Sequence, residues 1–340
     1  MSCFTKFLLI FPVLLSLLGC CHPNRLIPKA EPDPLCPFYV PEKIRVALVL
    51  GSGGVRGMAH VGVLEELEQA GIPIDLIVGC SAGGIVGALY ADNPCAEATK
   101  RALWGMRTDS MLDVDLLTCR YGLSQGGSMH KIIDNYLEAE TFEELQIPLV
   151  VVASDLYTGE MVPMGSGDLV QAVRASCSMP FYFVPCNHMG RIMVDGGVVN
   201  PVPVKVARDL GADIVIAVDL SELLTNSRPS NLFDVTMRSI EIVFLWQSQV
   251  CAHRANVVIR PKTCGVGSFD ENMKWQLYHA GKQAAREQIP LILELLAAQK
   301  NEEPSCAWRL VNLDCYVPEI ELEARDPGAY LNRPEIGENM

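Results

Sequence analysis

Short apolar runs alternate along the chain with longer stretches in which apolar residues recur at helical spacing. Four runs have the length and composition of strands that are buried on both faces of a sheet. They are Val46–Leu50, Ile74–Val78, Leu149–Ala153 and Ile214–Val218. The helical pattern covers residues 57–70, 82–91, 168–176, 202–210, 233–252 and 271–298. This alternation predicts an α/β domain with a mostly parallel sheet.

The first residues form a separate segment. Lys6 precedes the apolar run Phe7–Leu18, which is too short for a transmembrane helix, since such a helix needs roughly 20 residues. The run indicates a secretory signal over residues 1–19. Leu17-Leu18-Gly19-Cys20 resembles a bacterial lipobox, in which cleavage precedes a cysteine that carries lipid. We expect lipidation at Cys20, and an ordinary signal peptide with incidental cysteines is the alternative.

The rest of the chain divides into three segments. Residues 20–42 contain six prolines, a density that predicts an extended, proline-rich tether. Residues 43–299 carry the strand and helix pattern and form the predicted domain. Residues 300–340 lose that pattern, and the excess of acidic residues over arginines there predicts an acidic tail.

A nucleophile motif follows the second apolar run. Gly79-Cys80-Ser81-Ala82-Gly83 matches G-x-S-x-G, which places a serine on a sharp turn between a strand and a helix. A second match, Gly122-Leu123-Ser124-Gln125-Gly126, follows no buried strand and leads into more loop. The context therefore favours Ser81 over Ser124.

A glycine-rich loop, Gly51-Ser52-Gly53-Gly54-Val55-Arg56-Gly57, follows the first apolar run. Its glycines let backbone N–H groups approach an anion or an oxyanion. Arg56 stands where a dinucleotide fingerprint needs glycine, and a P-loop Gly-Lys-Ser/Thr is absent. The arginine itself has two open roles, contact with a substrate phosphate or support of the loop.

A serine nucleophile needs a group that accepts its proton. Asp195 follows a further short apolar run and precedes two glycines that turn the chain, and Asp155 and Asp219 follow the third and fourth strands. Position alone therefore does not choose among the three. His253, at the end of one helical stretch, and His279, inside another, are the late histidines that a Ser-His-Asp hydrolase could use instead.

Four ordered blocks resemble the patatin-like phospholipases. The blocks are Gly51-x-Gly53-Gly54-x-Arg56-Gly57, Gly79-x-Ser81-x-Gly83, Ala175-Ser176-Cys177-Ser178-Met179-Pro180 and Asp195-Gly196-Gly197. Asn200-Pro201-Val202-Pro203 and Gly211-Ala212-Asp213 are similar to the small bacterial members related to neuropathy target esterase. The resemblance covers about Lys43 to Gln299.

The resemblance implies a three-layer α/β/α sandwich with a mostly parallel central sheet. It implies a Ser-Asp dyad, with Ser81 as nucleophile and Asp195 as direct base. It also implies an oxyanion hole formed by Gly53, Gly54, Val55 and Arg56. The implied reaction is hydrolysis of ester bonds in phospholipids, lysophospholipids or other acyl lipids, without a metal or cofactor. A catalytically silent lipoprotein that binds lipid or a partner is the alternative.

The net charge and the cysteine spacing argue against several kinds of partner and site. The formal net charge of −13 argues against a nucleic-acid partner, because nothing would neutralise phosphates. The 13 cysteines include no C-x-x-C pair, which argues against a zinc ribbon or a thioredoxin-type site. Signal and lipobox together indicate the bacterial cell envelope, at the outer membrane or the periplasmic face of the inner membrane. Because the acidic chain is not attracted to anionic lipid, membrane residence is expected to come from the N-terminal anchor.

One apolar stretch has two interpretations. Ile240–Trp246 contains six apolar residues and one glutamate, and such a run favours a place in the core. The other interpretation is a membrane-facing lid over the site.

Overall fold

The computed structural model describes residues 26–114, 120–221, 228–263, 271–299 and 307–316. These residues contain one eight-stranded sheet and one two-stranded ribbon. The strands are β1 (Phe38–Pro41), β2 (Ile44–Leu50), β3 (Leu76–Cys80), β4 (Leu149–Asp155), β5 (Met161–Met164), β6 (Cys186–His188), β7 (Arg191–Asp195), β8 (Ala212–Val218), β9 (Val257–Ile259) and β10 (Trp308–Val311). The large sheet has the order β6-β7-β4-β3-β2-β8-β9, and β5 also pairs with β4.

The centre of the large sheet is parallel, as the sequence predicted. β4, β3, β2, β8 and β9 run in the same direction. β5, β6 and β7 add antiparallel pairs on one side. β3 begins at Leu76, two residues after the start of the apolar run that predicted it. Just before the strand, the Asp75 carboxylate accepts hydrogen bonds from the amides of Arg45 and Val46.

The helices that the spacing predicted are all present, with ends shifted by a few residues. In chain order the helices of the described residues are α1 (Met58–Gln69), α2 (Ala82–Asp92), α3 (Ala96–Gly105), α4 (Thr108–Met111), α5 (Gly127–Asp134), α6 (Leu169–Ser176), α7 (Val204–Asp209), α8 (Leu232–Ala252) and α9 (Lys274–Ala298). Short 3-10 turns lie at residues 54–57, 142–144, 196–198 and 271–273.

The sheet is covered on both faces, so the predicted three-layer α/β/α arrangement is confirmed. Val46, Leu48 and Leu50 point into one hydrophobic cluster, which they share with residues of α1, α2, α6 and α9. Ala47 and Val49 point into a second cluster, which includes residues of α7 and of the ribbon β1-β10. Because both faces are buried, the strand is a continuous apolar run in the sequence.

β3 and β7 occupy successive stretches of the same edge of β4. Cys80, the last residue of β3, lies opposite Val152, and Asp195, the last residue of β7, lies opposite Ala153. β5 pairs with both Val152 and Ala153 along the other edge. Since β3 runs parallel and β7 antiparallel to β4, their carboxyl ends point towards each other. The residue after β3 is thereby placed beside the end of β7.

The folded unit extends past the predicted boundaries at residues 43 and 299. β1 pairs with β10 in antiparallel register, with Phe38 opposite Val311. Part of the predicted tether also lies on the domain, where the Lys29 amide donates to the Gly190 carbonyl. Strands of four residues are too short to show a period in the sequence, so β1 and β10 were missed. The predicted signal segment and Cys20 lie outside the described residues. Among those residues, no helix combines the length and hydropathy that crossing a membrane requires.

The core interpretation of Ile240–Trp246 is wrong. The segment belongs to α8, and 49% of Val243 and 56% of Trp246 are exposed. The side chains described in α8 are fully buried only at Ser248 and Ala252, near its carboxyl end. The helix therefore lies on the surface.

Candidate active site

Ser81 stands on a sharp turn between β3 and α2. Its φ is 52° and its ψ is −119°, a conformation that costs a non-glycine residue of the order of 1–3 kcal/mol. The flanking glycines permit the turn. A Cβ on Gly83 would lie 2.0 Å from the Leu50 carbonyl oxygen, and one on Gly79 would lie 2.6 Å from the Gly83 carbonyl oxygen. The backbone thus presents the Ser81 hydroxyl at the carboxyl edge of the sheet.

The Ser81 hydroxyl contacts the Asp195 carboxylate directly. Ser81 Oγ donates to Asp195 Oδ2 at 2.6 Å. The other carboxylate oxygen, Oδ1, accepts from the Gly197 amide at 2.8 Å. The Asp195 amide donates to the Ser178 carbonyl at 2.9 Å, which fixes the backbone as well. The structure therefore brings together the serine and the aspartate that the resemblance singled out.

Burial changes the proton affinity of Asp195. Desolvation raises the pKa of the carboxyl from 3.8 to about 6, and the hydrogen bonds from Ser81 and Gly197 oppose part of that rise. A carboxylate with a raised pKa is a stronger base, and it is still largely ionised at neutral pH. The pair can therefore transfer a proton from the serine to the aspartate without a histidine.

Ser176 is a part of the site to which the sequence assigned no role. Its hydroxyl accepts from the Ser81 amide at 2.9 Å and donates to the Val152 carbonyl at 2.6 Å. One buried side chain therefore joins the Ser81 turn to β4. The signal available in the sequence was the position of Ser176 in the block before Met179-Pro180.

The two other strand-ending aspartates have different partners. The Asp155 carboxylate accepts from Arg191 Nη1 at 3.0 Å and from the Tyr157 amide at 2.8 Å. The Asp219 carboxylate accepts from Ser248 Oγ at 2.6 Å and from Arg260 Nε at 3.1 Å. Both hold local structure together, and neither contacts Ser81.

The remaining candidates also lie in other surroundings. The His279 ring packs against Trp275 and Tyr278 within α9, at centroid distances of 4.3 and 5.1 Å. His253 follows the carboxyl end of α8 and is exposed. Ser124 is buried, and its hydroxyl donates to the Asp113 carboxylate. The second G-x-S-x-G match therefore has a structural role in its loop.

The glycine loop presents amides beside the Ser81 turn. A Cβ on Gly57 would lie 3.0 Å from Ala82 Cβ, so the loop packs directly on the residue after Ser81. The amides of Gly53, Gly54 and Val55 donate to no acceptor within the described parts of the chain. Amides in this state, next to the positive end of α2, suit a developing oxyanion.

Arg56 and His60 hold the loop in shape. The Arg56 amide and the Arg56 Nε both donate to the Gly53 carbonyl, at 3.2 and 3.1 Å. Of the four residues predicted to form the oxyanion hole, Arg56 is therefore the one whose amide is already used. Supporting the loop is accordingly the role that these bonds favour for the arginine. The buried His60 donates from Nε2 to the Gly51 carbonyl at 2.8 Å. Burial lowers the pKa of His60 to about 4, so the ring is neutral at neutral pH.

Comparison with known proteins finds one family model and several related sequences. The family described as "Patatin-like phospholipase" matches residues 48–208. Patatin-like phospholipase domain-containing protein 6 of Mus musculus is 37% identical over 181 residues, which are 52% of this chain and 13% of the mouse protein. An uncharacterized NTE family protein of Mycobacterium bovis is 34% identical over 177 residues, 52% of this chain and 49% of that protein.

The chain thus spans less than half the length of these relatives. The crystal structure of VipD from Legionella pneumophila superposes with a TM-score of 0.49 and 12% sequence identity, over 87% of this chain and 74% of that chain. The family match over residues 48–208, in contrast, includes Ser81, Asp195 and the glycine loop. Residues 48–208 are therefore similar to the patatin-like phospholipase family, and the chain is similar in sequence to NTE family proteins.

Proposed function

We propose that the protein is a lipid acyl hydrolase, of the phospholipase A or lysophospholipase type, that uses Ser81 and Asp195 as a dyad. The observation that carries the proposal is the 2.6 Å hydrogen bond from the strained Ser81 to the buried Asp195 carboxylate. The glycine loop with its unused amides supports it, because ester hydrolysis passes through an oxyanion.

The reaction proceeds in two halves. Asp195 accepts the Ser81 proton while Oγ attacks the ester carbonyl, and amides of Gly53 and Gly54 stabilise the tetrahedral oxyanion. The C–O bond to the alcohol then breaks, and the alcohol leaves with the proton from Asp195. Water attacks the acyl-serine with Asp195 as base. Release of the fatty acid restores the serine hydroxyl.

We further propose that the chain is tethered to a bacterial membrane through lipid on Cys20, in the cell envelope. The lipobox-like Leu17-Leu18-Gly19-Cys20 supports this assignment. More than one acyl chain is needed for stable anchoring, and lipoprotein-type modification supplies it. Labelling of the full chain with a radioactive fatty acid tests the tether, since Cys20→Ser is expected to abolish incorporation.

Hydrolysis of a defined panel of phospholipids and lysophospholipids, with the products identified by mass, tests the activity. Wild-type protein is expected to release fatty acid, and Ser81→Ala is expected to release none while remaining folded by circular dichroism. Ser124→Ala is the matched control, because Ser124 lies in the second G-x-S-x-G match but bonds Asp113. It is expected to retain activity. A folded wild-type protein that releases no fatty acid from any lipid would favour the catalytically silent lipoprotein instead.

A further inference from the structure

α8 carries apolar side chains on the side that faces solvent. At about 100° per residue, they fall within an arc of roughly 100° on the helix. We call this set the α8 stripe; its members are Leu232, Val235, Ile242, Val243, Trp246 and Val250. Their exposed fractions range from 37% to 83%. Phe244, Ser248 and Ala252 lie on the opposite side of the helix. A helix that is apolar on both sides is normally covered on both sides.

The inner side of α8 lies against the candidate active site. The Phe244 ring would be 3.1 Å from a Cβ on Gly197, the residue whose amide binds the Asp195 carboxylate. Further along, the Ser248 hydroxyl donates to Asp219 at the end of β8. The α8 stripe therefore covers the outside of the element that borders the catalytic aspartate.

Leu26, the first described residue, lies at the same end of the sheet. The Tyr157 hydroxyl, just after β4, donates to the Leu26 carbonyl. β4 and β3 are parallel, so their carboxyl ends lie at the same end of the sheet. Tyr157 and Ser81, which follow these strands, lie at that end too. Cys20 precedes Leu26 by six residues, which span at most about 20 Å when extended. A lipid on Cys20 would accordingly hold this end of the sheet close to a membrane.

We propose that the α8 stripe is the surface with which the protein rests on a lipid bilayer, so that acyl chains reach Ser81 past Phe244. The inference rests on the proposed function and adds how the substrate is presented. The net charge of −13 gives no attraction to anionic headgroups, so the surface suits a zwitterionic bilayer. Trp246 adds a ring of the kind that resides at membrane interfaces.

Fluorescence quenching tests the contact without depending on activity. The full chain, in a Ser81→Ala background, is mixed with phosphatidylcholine vesicles whose acyl chains are brominated. Quenching is expected to fall when Trp246 is replaced by Gln and to persist in Trp308→Gln. Trp308 is the matched control, because it is 57% exposed but lies in β10. Equal quenching in the two variants would overturn the proposal.

An activity ratio tests the consequence. The double variant Val243→Ser and Trp246→Gln is expected to lower the ratio of vesicle hydrolysis to short-chain ester hydrolysis roughly tenfold. An unchanged ratio would contradict the proposal. So would a dimer of the wild-type chain in sedimentation that the double variant abolishes, because a second copy would then cover the stripe. If Ser81→Ala keeps its esterase activity, the proposed function fails, whereas the quenching comparison still reports on the stripe.

Discussion

The Ser81 hydroxyl donates a 2.6 Å hydrogen bond to the Asp195 carboxylate across 114 positions of sequence. The contact follows from the register of one strand, because β3 and β7 meet end to end along β4. Cys80 lies opposite Val152, and Asp195 lies opposite the next residue of β4, Ala153. No residue of β4 therefore separates the two strand ends. The contact is therefore a product of sheet topology, and changes that disturb this junction are expected to affect the proposed activity.

Activity is expected to depend on the ionisation of Asp195. Burial raises the pKa of the carboxyl to about 6, so the base is progressively lost as pH falls through that value. We expect kcat/KM for a soluble ester to fall about tenfold for each pH unit well below 6. A pH profile of the wild-type protein measures this. A profile that stays flat down to pH 4.5 would contradict Asp195 as the base.

The same pKa shift predicts a stability gain in Asp195→Asn. A folded-state pKa raised above the ordinary 3.8 means that ionised Asp195 lowers the free energy of unfolding at high pH. The variant is expected to exceed wild type by up to about 3 kcal/mol at pH 8, and the gap is expected to close as pH falls through 6 towards 4. Urea unfolding at several pH values measures it.

Asp155→Asn is the control for that experiment. Asp155 is also buried at the end of a strand, but its carboxylate is paired with Arg191 at 3.0 Å. Asp155→Asn removes the negative charge that pairs with Arg191 at the end of β4. The variant is therefore expected to be less stable than wild type at pH 8. Equal effects of the two substitutions would contradict the assigned environments.

Adjacent glycines in α2 are expected to respond differently to alanine. A Cβ on Gly83 would lie 2.0 Å from the Leu50 carbonyl oxygen, whereas a Cβ on Gly84 would lie 3.4 Å from Val151 Cγ1. Gly83→Ala is expected to destabilise the fold by more than about 3 kcal/mol, because backbone must move. Gly84→Ala is expected to be neutral or to stabilise by up to about 1 kcal/mol through helix propensity. Denaturant midpoints separate the two outcomes.

Ser176 is expected to act as a positioning residue. Ser176→Ala removes the bonds that join the Ser81 amide to the Val152 carbonyl, and each such bond is worth about 1 kcal/mol. We expect kcat to fall about tenfold or more with a smaller change in KM. Thr99→Val is the control, because the Thr99 hydroxyl is buried and bonds only its own helix. A similar loss of kcat in both variants would indicate a general effect of destabilisation.

The sequence was informative where structure is local. The apolar run Val46–Leu50 predicted a strand buried on both faces, and it forms one. Ser81 was chosen over Ser124 because a predicted strand and a predicted helix flank it. Asp195 could not be distinguished from Asp155 and Asp219 by position, because the choice depends on pairing along β4 between distant segments. The resemblance supplied that choice.

Two features could not be predicted for physical reasons. α8 is apolar on both sides, so its pattern was the same as that of a core helix although one side is exposed. The ribbon joins Phe38–Pro41 to Trp308–Val311, and each of these strands is too short to carry a recognisable period. Their pairing depends on contacts between opposite ends of the chain, which spacing does not encode.

The most direct test of the dyad is covalent labelling with a fluorophosphonate, followed by peptide mass spectrometry. We expect a single adduct on Ser81 and none on Ser124. Labelling of Asp195→Asn is expected to be slowed by at least about 100-fold, the scale of general-base catalysis. An adduct on another residue, or an Asp195→Asn variant labelled as fast as wild type, would contradict the proposed dyad.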